Sequence, residues 1–169
     1  MSNSGERLAV IVGGASGIGW ASARALAEHG CRVVIADVNG DAARERAAEL
    51  GAPHSAAAVD VTDETSVQSL FEGLSDGQGI LDIAVNCAGF SNVGLITDMP
   101  AEEFRAVIDV CLNGAFIVSK HAGRHLREGG SLIHISSLNG RQPAAGMSAY
   151  CAAKAGLSML TQVAALEMG

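Results

Sequence analysis

Five short apolar runs alternate with five longer segments of helical character, and this alternation limits the chain more than any other feature. The runs occupy residues 8–12, 32–37, 56–60, 81–86 and 131–136. They are apolar nearly throughout rather than at every second position, as expected of strands buried on both faces of a parallel sheet. The segments between and after them read as helices at about 17–29, 41–50, 62–74, 101–127 and 148–168. Gly30 and Gly51 stop the first two, and Thr62 is the expected N-cap of the third. Five β-α units in succession predict a doubly wound parallel α/β sheet with right-handed crossovers. No linker, low-complexity tract or repeat divides the chain, so residues 1–169 are expected to form a single domain.

Composition narrows the function classes. Hydrophobic residues make up 49% and charged residues 17%, which excludes a disordered chain. Only 11 Lys and Arg stand against a net charge of −7, and aromatics are 4%, so neither a phosphate-binding footprint nor a base-stacking platform for nucleic acid is expected. No apolar run reaches the ~18 residues of a membrane helix. The N-terminal residues lack the apolar stretch of a secretory signal. Cys31, Cys87, Cys111 and Cys151 form no CxxC pair and read as reduced, mostly buried thiols of a cytoplasmic protein.

The first apolar run ends in Gly13-Gly14-Ala15-Ser16-Gly17-Ile18-Gly19 and leads into a helix. A helix N-terminus offers unpaired N–H groups and partial positive charge, and glycines let the backbone approach a pyrophosphate closely. Two other glycine motifs fail on spacing. Trp20 follows Gly14-x4-Gly19 where a phosphate loop needs Lys, and Ile18 stands where a GxSxG elbow needs Gly. The plain alternative is a tight turn that holds nothing. Asp37 closes the second run, 18 residues after Gly19, where a carboxylate can accept from the adenosine ribose hydroxyls and repel a 2′-phosphate. With no cation at Ser16, Val38 or Asn39, NAD is favoured over NADP. The alternative for Asp37 is a loop or capping carboxylate.

Tyr150 is the only tyrosine, and Lys154 follows it by four residues, on the same face if both are helical. Ser137 stands just past the fifth run. A phenol of ordinary pKa near 10 is a poor base at neutral pH, and a nearby ammonium lowers that value. A serine hydroxyl can hold the substrate oxygen while the tyrosine exchanges its proton and a nicotinamide moves the hydride. Alone, Tyr-x3-Lys is usually helix surface; here it follows the fifth strand of a dinucleotide fold.

At this point the sequence resembles the short-chain dehydrogenases/reductases. Gly13-x3-Gly17-Ile18-Gly19 is similar to the family's TGxxxGIG loop, with Val12 for Thr. Asp60-Val61 resembles the pair that contacts adenine, and Asn86-Cys87-Ala88-Gly89 the NNAG motif along the cofactor, with Cys87 for the second Asn. Ser137, Tyr150 and Lys154 fall at the spacing of the catalytic serine, tyrosine and lysine. The resemblance implies a Rossmann-like sheet of order 3-2-1-4-5 and NAD(H)-dependent hydride transfer on an alcohol or carbonyl substrate. It also implies ribose binding by Lys154 and a homodimer or homotetramer built through the helices at about 101–127 and 148–168.

Two departures bear on those expectations. Cys111 occupies the place of the family's catalytic Asn, which helps hold a water in a proton relay; a thiol is a weaker partner. Asn113, two residues on, points elsewhere on a helix. The chain also ends before the family's last strands and substrate loop, so the domain is expected to be incomplete. Strand five would then be an apolar edge, and Leu157, Leu160, Val163 and Leu166 would be incompletely covered. A non-catalytic fragment that binds dinucleotide or forms an oligomer is therefore the rival reading.

Remaining signals have bland explanations. His121 and His125 have a metal-compatible spacing but no evident third ligand, so they read as histidines on a partly exposed helix face, and no metal is expected. The acidic cluster at 98–103 reads as helix-start chemistry, and His134 as a packed or bonded core histidine.

Overall fold

A computed structural model describes residues 7–75 and 81–169. The N-terminal segment read above for a signal lies, apart from Arg7, outside the described residues. Strands β1 (Arg7–Val12), β2 (Cys31–Asp37), β3 (Ser55–Ala58), β4 (Leu81–Asn86) and β5 (Leu126–His134) form one parallel sheet in the order β3-β2-β1-β4-β5. Between and after them run α1 (Gly17–Glu28), α2 (Gly40–Leu50), α3 (Glu64–Ser75), α4 (Ala101–Ile108), α5 (Gly114–His125) and α6 (Ser148–Met168). The Rossmann-like architecture and strand order are those the sequence predicts.

The pleat sorts the side chains of β1 between two cores. Leu8, Val10 and Val12 meet Val67 and Phe71 of α3 and Val118 and Ala122 of α5. Ala9 and Ile11 join Val33 and Ile35 of β2, Ala23 of α1 and Ala43 of α2 on the other face. Each large side chain so enclosed contributes about 1.5–3 kcal/mol. A smaller cluster, Val107, Cys111, Ala149 and Ala153, joins α4 and its continuation to α6.

Four local features differ from expectation. The N-cap of α3 is Asp63, whose Oδ1 accepts from Thr65 N–H at 2.9 Å; the Thr62 hydroxyl is committed to Asp60 Oδ1 at 2.7 Å. The rod expected at 101–127 is interrupted by a π-turn at Asp109–Asn113, with buried Cys111 at its centre. The rod also ends at His125, because Leu126 is already extended and pairs with Leu81. The chain then bulges through Gly129 (φ 74°) and regains register at Ser131 opposite Ile83. β3 is shorter than expected, ending at Ala58.

β5 is an edge strand, with Ile133 exposed. On α6 Leu157 is buried, whereas Val163 and Leu166 are exposed. All four cysteines are free; Cys31 and Cys111 are buried, and Cys87 and Cys151 are only half-buried.

Candidate functional site

The strand ends of β1, β2, β4 and β5 open on one cleft, and its floor begins with the glycine turn. Gly13 N–H and Gly14 N–H both donate to Ala36 O, at 2.8 and 3.1 Å, tying the turn to the end of β2. Gly13 has φ 74°, and a Cβ there would lie 2.7 Å from Ala88 N. A Cβ on Gly19 would run into the Gly13 carbonyl. Bare backbone is what lets the turn, α1 and the β4 exit crowd together. Ser16 is extended and precedes α1 without a side-chain cap bond, so its hydroxyl is not committed to the helix.

The cleft has two connected hollows of about 320 and 450 Å³ that share Gly13, Ser16, Cys87, Gly89 and Phe90. The smaller is also lined by Asp37, Asp60, Val61 and Ala88. The larger is lined by Gly17, Ile18, Gly19, Ser137, Tyr150 and Lys154. Of the residues expected to bind the dinucleotide or act on substrate, all line this cleft except Asn86, which is buried behind it.

Asp37 splits its carboxylate between two backbone groups: Oδ2 accepts from Ala15 N–H at 3.1 Å and Oδ1 from Asn39 N–H at 3.0 Å. Asp60 Oδ1 accepts from the Thr62 hydroxyl and N–H, and these bonds hold its carboxyl below the usual range.

Asn86 begins a directed chain of hydrogen bonds. Its Oδ1 accepts from Ala88 N–H at 3.1 Å. The Ser119 hydroxyl donates to Ala115 O at 2.7 Å, so it must accept from His134 Nε2–H at 2.9 Å. That tautomer leaves His134 Nδ1 bare to accept from Asn86 Nδ2 at 3.4 Å. Burial, reinforced by the Lys154 charge, pushes the His134 pKa down to about 4. The histidine is bonded, as expected, and it is neutral.

Lys154 is 5% exposed and donates from Nζ to Ile135 O at 2.7 Å. Burial pushes its pKa down, while the neighbouring Cys111 and Cys87 thiols act in the opposite direction. Its Nζ lies 5.5 Å from the centre of the Tyr150 ring, one helical turn away on α6. Ser137 is extended, and its Oγ accepts from Asn139 N–H at 3.2 Å. The Cys111 thiol donates to Phe90 O at 3.3 Å, and a Cβ on Gly89 would sit 3.2 Å from Cys111 Sγ and 3.6 Å from Lys154 Nζ. The thiol and the amine therefore flank the same glycine. Burial raises the Cys87 thiol pKa, against the lysine charge.

His121 is buried, not partly exposed, and its Nε2 stands 3.3 Å from Glu64 Oε1, which also accepts from Lys120 Nζ at 2.6 Å. The cause is packing: this face of α5 lies on α3. His125 Nδ1 bonds His121 O, and its ring lies against Phe71. Among the described residues no group of three or more His, Cys, Asp or Glu could hold a metal ion, and no helix is long and apolar enough to cross a membrane.

Sequence reasoning missed Arg46 of α2, whose Nε donates to Ala15 O at 3.2 Å and whose guanidinium lies over Trp20. It also missed Ser119. Nothing local in the sequence marks either residue, because each acts on an element distant in the chain.

Residues 13–169 match the family described as Enoyl-(Acyl carrier protein) reductase. The chain is 42% identical over 166 residues to cis-4-hydroxycyclohexanecarboxylate dehydrogenase of Sinomonas cyclohexanicum, covering 95% of this chain and 67% of that protein. It is 38% identical over 170 residues to an uncharacterized short-chain type dehydrogenase/reductase of Sinorhizobium fredii, covering 100% of this chain and 31% of that one. A short chain dehydrogenase from Mycobacterium smegmatis has a crystal structure that superposes with TM-score 0.89 at 30% identity, over 96% of this chain and 70% of that one. The chain thus spans between about a third and two thirds of the length of these curated relatives.

Proposed function

Because the chain belongs to the short-chain dehydrogenase/reductase family, we propose that it serves an NAD(H)-dependent oxidoreductase that interconverts an alcohol and a carbonyl compound at Tyr150. The observation that carries this reading is the convergence of the glycine turn, Asp37, Ser137, Tyr150 and Lys154 on one cleft.

The residues present suit a dinucleotide. Gly13 has no room for a Cβ, which would meet Ala88 N at 2.7 Å, so the turn lies close against the β4 exit at the floor of the cleft. The first-turn N–H groups of α1 have no partner inside the helix and face phosphate. Asp37 keeps lone pairs for ribose hydroxyls beyond its two backbone bonds, and its charge disfavours a 2′-phosphate, which supports NAD over NADP. Asp60 and Val61 line the adenine end, with Ala88 and Gly89 along its wall and Asn86 behind them, holding Ala88 N–H. A bound nicotinamide supplies the hydride acceptor or donor.

The protein's part is alignment and proton transfer. Ser137 Oγ already accepts a bond, so its own hydrogen is free to donate to the substrate oxygen. Tyr150 exchanges the proton with that oxygen. Lys154, one turn away, stabilises the phenolate and holds the nicotinamide ribose, and its bond to Ile135 O fixes it in place. In this reading residues 1–169 form the dinucleotide-binding domain of a cytoplasmic protein. It assembles as a homodimer or homotetramer through the α4–α5 rod and α6, a proposal supported by exposed Phe104, Phe116, Met159 and Val163.

A second reading, dinucleotide binding without turnover, draws support from Cys111, whose thiol stands where the family places an Asn. NAD titration beside an alcohol-oxidation assay separates the two. Tyr150→Phe is expected to bind NAD as the parent does and to lose turnover by about 10²–10⁴-fold. Undiminished turnover in that variant refutes Tyr150 as acid/base; binding with no turnover over a broad alcohol panel supports the second reading.

A further inference from the structure

Ala15 stands in the glycine turn between Gly14 and Ser16, and both of its backbone groups are held by charged side chains from other elements. Ala15 N–H donates to Asp37 Oδ2 at 3.1 Å, and Ala15 O accepts from Arg46 Nε at 3.2 Å. Arg46 is itself held on two further sides. Its guanidinium carbon lies 5.1 Å from the Trp20 ring centre, and Nη1 bonds Glu49 Oε1 at 2.6 Å. Trp20 belongs to the first turn of α1, so the arginine spans from α2 to the helix whose N-terminus faces the cleft.

We propose that Arg46 is a positioning residue for the phosphates of the dinucleotide, acting through the Ala15 carbonyl. The inference rests on the dinucleotide reading above. A carbonyl oxygen carries partial negative charge, and one turned toward a bound phosphate opposes the N–H groups that attract it. The guanidinium is always charged and donates in a fixed plane, so it holds the Ala15 carbonyl on the α2 side. Asp37 holds the N–H of the same residue, and the peptide planes on both sides of Ala15 are thereby set. The N–H groups of Gly17, Ile18 and Gly19, with no partner inside the helix, are left as the ones presented to an anion. Stacking on Trp20 confines Arg46 to the rotamer that reaches Ala15.

The test measures binding by calorimetry for NAD+, ADP and adenosine to the whole chain and to Arg46→Met, which keeps an apolar arm on Trp20 and removes the donor. ADP and NAD+ are expected to weaken about tenfold, the equivalent of one charge-assisted bond. Adenosine, which carries no phosphate, should change by less than about twofold on the same grounds, and Arg46→Lys should recover most of the loss in ADP affinity. If Arg46→Met does not fold, Arg46→Gln replaces it, and the ratio of ADP to adenosine affinity remains the deciding quantity. Unchanged ADP affinity overturns the proposal. So does an equal loss for adenosine and ADP, which is the signature of a merely structural role. If the parent chain binds neither NAD+ nor ADP, the dinucleotide reading itself is refuted and this inference falls with it.

Discussion

Acid should loosen this protein through one histidine. His134 is neutral in the folded chain because its two ring nitrogens are committed in opposite senses, Nε2–H donating to Ser119 and Nδ1 accepting from Asn86. A second proton at Nδ1 would face the Asn86 amide hydrogens and the Lys154 charge. The folded pKa is therefore lowered to about 4 from an ordinary 6.5. Between those two values the unfolded chain binds more proton than the folded one, so stability is fully present above pH 6.5 and is lost as pH falls toward 4. The whole shift corresponds to roughly 3 kcal/mol, and about 2 kcal/mol of it is spent between pH 7.5 and 5. Urea unfolding of the parent and of His134→Asn at pH 7.5, 6 and 5 measures this. The asparagine has no proton to take up in that range, while the carboxylates common to both chains cancel. The parent should lose about 2 kcal/mol more than the variant by pH 5. Parallel losses in the two chains would refute the reasoning. Because the folded histidine itself takes up its proton only near pH 4, NAD affinity of the folded parent should hold over this window and fall only as pH approaches 4.

Gly13→Ala places a Cβ 2.7 Å from Ala88 N at φ 74°, and should cost about 1–3 kcal/mol in a thermal melt together with dinucleotide affinity. Cys111→Asn should raise turnover by restoring a stronger hydrogen-bonding group beside Lys154; no change in a steady-state assay would count against that role. Asp37→Ser removes the carboxylate opposed to a 2′-phosphate, and the ratio of NADP to NAD affinity should rise about tenfold or more, by calorimetry.

The fold was legible because burial on both faces leaves a mark in the inner strands β1, β2 and β4, and because glycines punctuate the helices at Gly30 and Gly51. Where several local solutions compete, the sequence is ambiguous. Thr62 and Asp63 are both good caps, and the choice falls to Asp63 only because Asp60 claims the Thr62 hydroxyl. The π-turn at Asp109–Asn113 adds a single residue to a rod whose apolar pattern continues on both sides, so periodicity does not register it. The end of the rod at His125 is likewise decided by a distant partner, the pairing of Leu126 with Leu81.

The candidate site divides along the same line. Its lining was legible, since glycine spacing, a strand-end carboxylate and Tyr-x3-Lys are local signals. The bonds that support it were not, because most of them join a side chain of one element to the backbone of another, and Arg46 carries no local signal at all. Arg46 holds Ala15, Cys111 holds Phe90, Lys154 holds Ile135, and Asn86, itself bonded to His134, holds Ala88. Three of these four backbone anchors, at Phe90, Ile135 and Ala88, line the cleft directly. Lys154 is the member with two duties, since the amine that fixes Ile135 is also the charge beside Tyr150. Burial pushes its pKa down, against the neighbouring cysteines, and its bond to the Ile135 carbonyl holds the amine in place. The position of the amine is therefore tied to the β5 exit: whatever shifts Ile135 also moves the lysine beside Tyr150.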